Sequence, residues 1–406
     1  ANLPDFHQEF AALDVASYDN YPPVRLPEDP EALTSNAFAL DFIRSFKQKN
    51  FWIMEQLGGP LGCWGPTSPA LEPGMLEGYA LQAVAHGADL LSFFRWRTAC
   101  TGAEMFCYGL LDHDNKPNRR LRELEQLCRR LEQFPQLGAT SVHSQVAMLY
   151  SADQEFALKN QLQSEGFAYW TQMKLFHNAC MNLGVNVDIL PEGAPLEGYR
   201  VVLVPTHFII NPTVVAQLER FAAAGGTVVL TNRSGVKDQN NNCLPGEMLP
   251  TVFRPLCGCV VKESDAIGPA RQQLTTMHGG TYSITSWCDL LELEAATAWA
   301  WYKDRFYAGV PAITRNKFGA GLTYYVGSVG EKALYRALLL EIFREQDIPV
   351  LKMLPRDLEV SSRSGPGGEY WFFFNNSLHG KTFPVGQEMV TLRPLEMKIR
   401  AEGVWL

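Results

Sequence analysis

The chain has 406 residues, 46% of them hydrophobic and 19% charged, which is ample for roughly two or three globular domains. A net charge of −8 and a pI near 5.6 exclude a nucleic-acid binder that works through basic patches. No apolar run approaches the ~20 residues that span a bilayer, so no membrane partner is expected either.

The start, Ala1-Asn2-Leu3-Pro4-Asp5, offers neither an initiator Met nor a basic stretch followed by an apolar one. It is not a signal peptide and reads as the middle of a longer chain. Nine Cys are scattered, with no C-x-x-C and only Cys257-x-Cys259 as a close pair. That spacing does not suit zinc, and an odd count argues against a complete disulfide framework. Reduced, mostly buried thiols in a cytoplasmic protein are expected, with no metal and no cofactor.

In chain order, Leu13 to Tyr18 reads as a short strand, and Asp19-Asn20-Tyr21-Pro22-Pro23 as a turn-rich loop after it. Asp29-Pro30-Glu31 is a helix start, with Asp as N-cap and Pro at the first helical position. Leu33, Ala37, Leu40, Ile43 and Phe46 then mark one buried helical face.

Phe51-Trp52-Ile53-Met54 predicts a fully buried strand, with Glu55 where the run stops and Gly58-Gly59 in the turn. Glu55 either caps that loop or stands as a catalytic acid at the C-terminal face of a (β/α)8 barrel. A second helix runs from Met75 to His86 and is ended by Gly87. Leu90 to Phe94 is a third strand, followed by Arg95-Trp96-Arg97 and then a helix with Leu121, Leu124, Leu127, Leu131 and Phe134 on its apolar side.

Strands alternating with helices imply parallel pairing. All three strands then release polar or aromatic groups at one end: Asp19, Asn20 and Tyr21; Glu55; and Arg95, Trp96, Arg97 and Glu104. Tyr21, Trp64 and Trp96 suit a sugar, whose C–H faces lie against aromatic rings, and a carboxylate such as Glu104 can accept from two neighbouring hydroxyls. Each also has a plain structural reading. Trp96 can fill a barrel rim, Glu104 can pair with Arg97, and Tyr21 can brace a turn.

The string Leu13-Asp14-Val15-Ala16-Ser17-Tyr18-Asp19-Asn20-Tyr21-Pro22 resembles the sixth barrel strand and loop of glycoside hydrolase family 42, the microbial β-galactosidases. Phe51 to Gln56 resembles the seventh strand. Ala85 to Asp89, Phe94-Arg95-Trp96-Arg97 and Gly102-Ala103-Glu104 resemble the eighth strand and its loop.

The resemblance implies that Glu55 is the nucleophile of a retaining hydrolysis of β-galactosides through a galactosyl-enzyme. It implies that Trp64 walls the sugar site, that Glu104 binds galactose hydroxyls and that Tyr21 sits by the nucleophile. Three residues after Glu104, where the family usually has a sugar-touching His, this chain has Cys107. A thiol is a weak donor, so that bond is either absent or supplied by Tyr108 or His113.

A retaining glycosidase needs two carboxyl groups ~5–5.5 Å apart. In this family the proton donor follows an Asn, and no Asn-Glu pair occurs in the sequence. The acid/base is therefore expected in a missing N-terminal part, with Glu72 and Glu77 the nearest candidates should that expectation fail.

From Ser141 the character changes. Val146 to Tyr150, Val185 to Ile189, Val201 to Pro205 and Thr227 to Leu230 read as buried strands, and a long mixed helical segment runs to about Leu183. A helix from Val214 to Ala224 ends at Gly225-Gly226, and another from Leu334 to Phe343 closes the domain. This alternation predicts a parallel α/β sheet of glutamine-amidotransferase outline. Its chemistry is not expected, since Cys180 lies inside a helix and Pro205-Thr206-His207 brings no thiol to a turn. A nucleotide site is not expected either, because no G-x-G-x-x-G follows the first strand.

Arg233 to Asn240 and Leu244-Pro245-Gly246 resemble the family's trimer-contact segment, which implies a homotrimer. From about Leu351, period-two runs at Glu359 to Ser361, Tyr370 to Asn375 and Met389 to Leu392 predict a small antiparallel β domain. The expected division is 1–138 as the C-terminal part of a TIM barrel, 141–348 as an α/β trimerisation domain and 349–406 as the β domain. Two other readings stand beside the glycosidase: a catalytically incomplete oligomerisation module, and a non-catalytic sugar-binding protein.

Overall fold

The computed structural model describes residues 5–22, 30–63 and 65–405. They divide into two compact units, one of 6–143, 181–186 and 351–406, the other chiefly of 144–180 and 187–350.

The first unit begins with α1 (Phe6–Phe10), β1 (Ser17–Asn20), α2 (Pro30–Ser45), β2 (Phe51–Leu57), α3 (Met75–Ala85), β3 (Ala88–Phe94) and α4 (Arg119–Leu131). The three strands form a parallel sheet in the order β1-β2-β3. The predicted alternation and pairing are met. Asp29, read as the cap of α2, lies outside the described residues.

Leu40, Ile43 and Phe46 pack with Phe51, Ile53 and Ala88 on one face of the sheet. The other face is not covered in the same way: Trp52 and Met54 are 41% and 46% exposed. The expectation of a strand buried on both faces is therefore corrected to a strand that alternates. The first strand is also displaced from the predicted Leu13 to Tyr18. It starts at Ser17, because the backbone that pairs with β2 is Ser17 to Asn20, and Leu13 is exposed.

Helix α3 is buried nearly all round, since it lies between this sheet and a second one in the same unit. That second sheet is the C-terminal antiparallel module described below. At Gly78 a Cβ would approach the Phe374 ring to 3.1 Å, so the glycine lets the helix and that sheet come close. Asn118 caps α4 by accepting from the Leu121 N–H at 3.2 Å.

The second unit holds β4 (Val146–Tyr150), α5 (Ala152–Asn160), α6 (Tyr169–Asn182), β5 (Asp188–Pro191), β6 (Val201–Val204), α7 (Pro212–Ala223) and β7 (Thr227–Thr231). It continues through α8 (Arg254–Cys257), β8 (Cys259–Thr276), β9 (Thr281–Leu293), β10 (Thr297–Tyr302), β11 (Pro311–Phe318), β12 (Gly321–Val326), β13 (Ser328–Gly330) and α9 (Lys332–Glu345). The predicted long helical segment is two helices, broken around Gly166 at φ 77°.

The sheet has ten strands in the order β13-β9-β8-β10-β11-β12-β7-β6-β4-β5. β12, β7, β6, β4 and β5 run parallel to one another, and the remaining pairings, β11 with β12 included, are antiparallel. The expected all-parallel domain is thus corrected to a mixed sheet. Its parallel half buries Val202, Val228, Leu230, Val214 and Leu218 in one core. Cys180 is buried in α6, and Thr206 in the turn after β6 has φ 46° with its hydroxyl buried 3.2 Å from that of Thr231.

The first unit resumes with β14 (Leu358–Gly365), β15 (Gly368–Asn375), β16 (Lys381–Val385), β17 (Glu388–Leu392), β18 (Met397–Ala401) and β19 (Val404–Trp405). These form antiparallel sheets β14-β15-β18-β19 and β16-β17, as the period-two pattern predicted. Phe372, Phe374, Met397 and Ile399 from this module share a core with Ala80, Leu81 and Val84 of α3.

Candidate active site

Glu55 lies inside β2 rather than after it, half-buried, because Gln56 and Leu57 still pair with Phe93 and Phe94 of β3. Its register neighbour on β1 is Asp19. Asn20 and Gln56, the next pair along, are both buried and joined by an Asn20 Nδ2 to Gln56 Oε1 bond of 3.0 Å. Tyr21 follows β1 directly and donates its hydroxyl to Glu55 Oε2 at 2.5 Å. The phenol is pushed far above its ordinary range, first by burial, then by the Glu55 hydrogen bond and charge, with smaller contributions from Asp19 and Glu104. Asp19 is raised as well, by burial and then by the charge of Glu55. A group of carboxylates with a protonated phenol among them is thus gathered at the C-terminal ends of β1 and β2.

The loop after β3 supplies Trp96, 60% exposed, and Glu104, also exposed. Glu104 is ion-paired with Arg95, whose guanidinium lies 4.4 Å from the Phe94 ring centroid. The plain structural reading of Glu104 paired it with Arg97. That residue instead sits exposed beside Leu111 in a short parallel bridge, and the identity of the partner is corrected accordingly. Trp64 lies outside the described residues.

Cys107 is fully buried and bonded to Cys63, with a Cα–Cα separation of 5.6 Å. It therefore has no thiol to offer a sugar, which corrects its place among the substrate-binding residues. The bridge corrects the expectation of reduced thiols for this pair; of the seven free cysteines, Cys180, Cys257, Cys259 and Cys288 are buried, as expected for most, and Cys100, Cys128 and Cys243 are exposed. Of the two substitutes weighed for the missing His, His113 is engaged through Nε2 with the Met105 carbonyl at 2.8 Å. Tyr108 is half-buried against the His113 ring.

The arrangement offers a hydrogen-bonded carboxylate and, in the loop after β3, a second carboxylate held by an arginine and an exposed indole. Arg95 stands among the groups expected after β3, whereas Cys63 is not marked by any sequence motif. The signal for Cys63 was weak, a single Cys in a glycine-rich loop 44 residues from its partner. Among the described residues no cluster of His, Cys, Asp and Glu could hold a metal ion, and no helix is long and apolar enough to cross a membrane.

Three family models match the chain: one described as Beta-galactosidase over 1–134, the Beta-galactosidase trimerisation domain over 144–349, and the Beta-galactosidase C-terminal domain over 357–404. The chain is 44% identical over 383 residues to Beta-galactosidase BgaA of Clostridium cellulovorans, covering 94% of this chain and 58% of that protein. It is 30% identical over 377 residues to Beta-galactosidase BglY of Alicyclobacillus acidocaldarius, covering 89% and 54%. The fold matches the crystal structure of a β-galactosidase from Bacillus circulans with TM-score 0.89 at 28% identity, over 97% of this chain and 61% of that one. It matches one from Rahnella sp. R3 with TM-score 0.91 at 27% identity, over 98% and 62%. The chain thus spans less than two thirds of the length of these relatives. The family models together cover nearly all of it, and the chain belongs to the glycoside hydrolase family 42 β-galactosidases.

Proposed function

We propose that this chain is the nucleophile-bearing part of a retaining β-galactosidase, with Glu55 attacking the anomeric carbon to form a galactosyl-enzyme. The observation that carries the reading is the 2.5 Å hydrogen bond from Tyr21 to Glu55. It aims one carboxylate oxygen and leaves the other for the sugar. Glu104 accepts galactose hydroxyls, and Trp96 and Trp64 offer their rings to the C–H face of the sugar. β1 to β3 are read as the last three strands of a TIM barrel, and the exposed side chains of Trp52 and Met54 fit the inward-facing positions of such a barrel. In this reading the proton donor comes from residues other than those described, consistent with the absence of an Asn-Glu pair.

Residues 141–348 form the assembly domain of a homotrimer, 1–138 belong to the barrel and 349–406 to a small β domain. The whole acts in the cytoplasm. The alternative, an oligomerisation module without chemistry, draws on the match to the trimerisation model alone. The deciding experiment is hydrolysis of an aryl β-galactoside, followed by NMR of the first-formed anomer, with this chain alone and with a separately supplied N-terminal half. Release of the β-anomer by the combination supports the glycosidase; no release in either case leaves the assembly role.

A further inference from the structure

The Cys63–Cys107 bridge ties together the loops that follow β2 and β3, and the proposed chemistry makes no use of it. The two loops are in unusually close contact around it. A Cβ at Gly59 would stand 2.6 Å from the Tyr108 carbonyl oxygen, and one at Gly62 would stand 2.9 Å from that of Phe106. Across the two loops the Tyr108 N–H donates to the Pro60 carbonyl at 2.9 Å, and within the loop after β3 the Leu110 N–H donates to that of Arg95 at 2.7 Å. The Cys107 N–H donates to the Glu104 carbonyl at 3.0 Å, so the bridged residue closes the same turn that presents Glu104. Glu55 is held differently, on β2 and through Tyr21 on the β1 side.

We infer that the Cys63–Cys107 bridge is a redox-sensitive positioning device for Glu104. Closed, it pins the turn from Glu104 to Cys107 against the loop after the nucleophile strand. Open, that turn moves and sugar binding weakens, while Glu55 keeps its place. The inference rests on the proposed function. Opening needs a dithiol reductant, whose thiolate attacks the sulfur of Cys63, half-buried where Cys107 is buried. The S–S bond breaks, a mixed disulfide forms, and the second thiol of the reductant resolves it. Cys63 and Cys107 leave as two thiols, and the reductant leaves as its own disulfide, having supplied two electrons and two protons.

The test uses the active enzyme that contains this chain, assayed oxidised, after dithiothreitol, and after reoxidation. Reduction is expected to raise KM for an aryl β-galactoside roughly ten- to hundredfold, with kcat changing less than about threefold. Amide exchange at Cys107, Tyr108 and Leu110 should quicken, and both effects should reverse on reoxidation. Cys107→Ser should have the KM of the reduced enzyme and no response to dithiothreitol, with Cys63→Ser as the second variant. Cys100→Ser, Cys128→Ser and Cys243→Ser should respond like the parent. An unchanged KM while a peptide map shows the bridge open overturns the inference. So does a loss confined to kcat, which would mark general loosening, or an oxidised protein with no peptide cross-linked through Cys63 and Cys107. If no state hydrolyses the galactoside, the proposed function fails. The clamp is then decided by exchange alone, and unaltered protection at Cys107 to Leu110 on reduction refutes it.

Discussion

The Tyr21 hydroxyl reaches Glu55 Oε2 across 2.5 Å, joining the end of β1 to the interior of β2. Burial and then the neighbouring carboxylate push the phenol well above its ordinary range, so it stays protonated and remains a donor throughout the neutral range. A donor that cannot ionise fixes the carboxylate without adding charge to a site that already holds Asp19 and Glu104.

Glu55 should be the residue that carries the covalent intermediate. A 2-fluoro galactoside with a good leaving group should trap it as a stable ester in the active enzyme. Glu55→Gln should lower turnover to background, and azide should restore a Glu55→Gly variant with inverted product. Peptide mass mapping checks this, and a label on any other carboxylate sinks the assignment.

Removing the donor tests the Tyr21 contact directly. A hydrogen bond to a charged group contributes about 1.5–3 kcal/mol, so Tyr21→Phe should lower kcat/KM by roughly ten- to hundredfold. The fluoro-sugar label should still map to Glu55. Parent-like kinetics would mean that the 2.5 Å bond plays no part in the reaction.

The gathering of Asp19, Tyr21 and Glu55 was legible because these groups stand at or just past the C-terminal ends of parallel strands, and strand–helix alternation places such groups at one end of a sheet. The end of the apolar run after Met54 was a poor guide to the end of β2, since backbone pairing of Gln56 and Leu57 with β3 continues past it. The choice between Arg95 and Arg97 for Glu104 depended on how the loop turns, which no local pattern encodes. The bridge was hidden by its 44-residue separation. The antiparallel half of the large sheet was hidden for another reason. Its pairing of β8 with β9 shifts register three times, between Val261 and Glu263, Asp265 and Gly268, and Gly268 and Gln272, so no clean period of two survives.

A buried histidine gives the first unit a pH-dependent stability. His86 Nδ1 lies 2.9 Å from Asp41 Oδ1, and Nε2 lies 3.1 Å from Glu359 Oε1. Glu359 also accepts from Gln82 and Asn376, and Asp41 accepts from Arg44. Burial alone would lower the imidazole pKa, but the two carboxylates outweigh it and raise it from 6.5 to about 10. The folded state therefore holds this proton more tightly than the unfolded one. Its stabilisation, on the order of a few kcal/mol, is full below about 6.5 and is lost as pH rises towards 10. The melting temperature should fall across that window. His86→Gln should be less stable at pH 6 and show a flatter slope; a slope equal to that of the parent would exclude the histidine as its source.

Assembly divides the segment from Arg233 to Gly246 into two parts. Arg233 is half-buried, donates to Gln163 at 2.8 Å and lies 4.7 Å over the Trp287 ring. Lys237 is buried, bonded to Gln161 and to the Asn241 carbonyl. These cations hold their own fold rather than facing solvent. Residues 239–243 and 245–248 are exposed, and Met248 and Val252 add apolar surface. A threefold ring needs a heterologous contact, in which this patch would meet a different patch on the next copy. Met248→Asp with Val252→Asp should therefore shift the active enzyme from trimer towards monomer in light scattering at micromolar concentration, with little change in melting temperature. Arg233→Ala should do the reverse, lowering the melting temperature through the lost stacking and hydrogen bond while the subunit count of the folded fraction holds. A parent enzyme that is already monomeric, or a double variant that stays trimeric, would remove this patch from the interface.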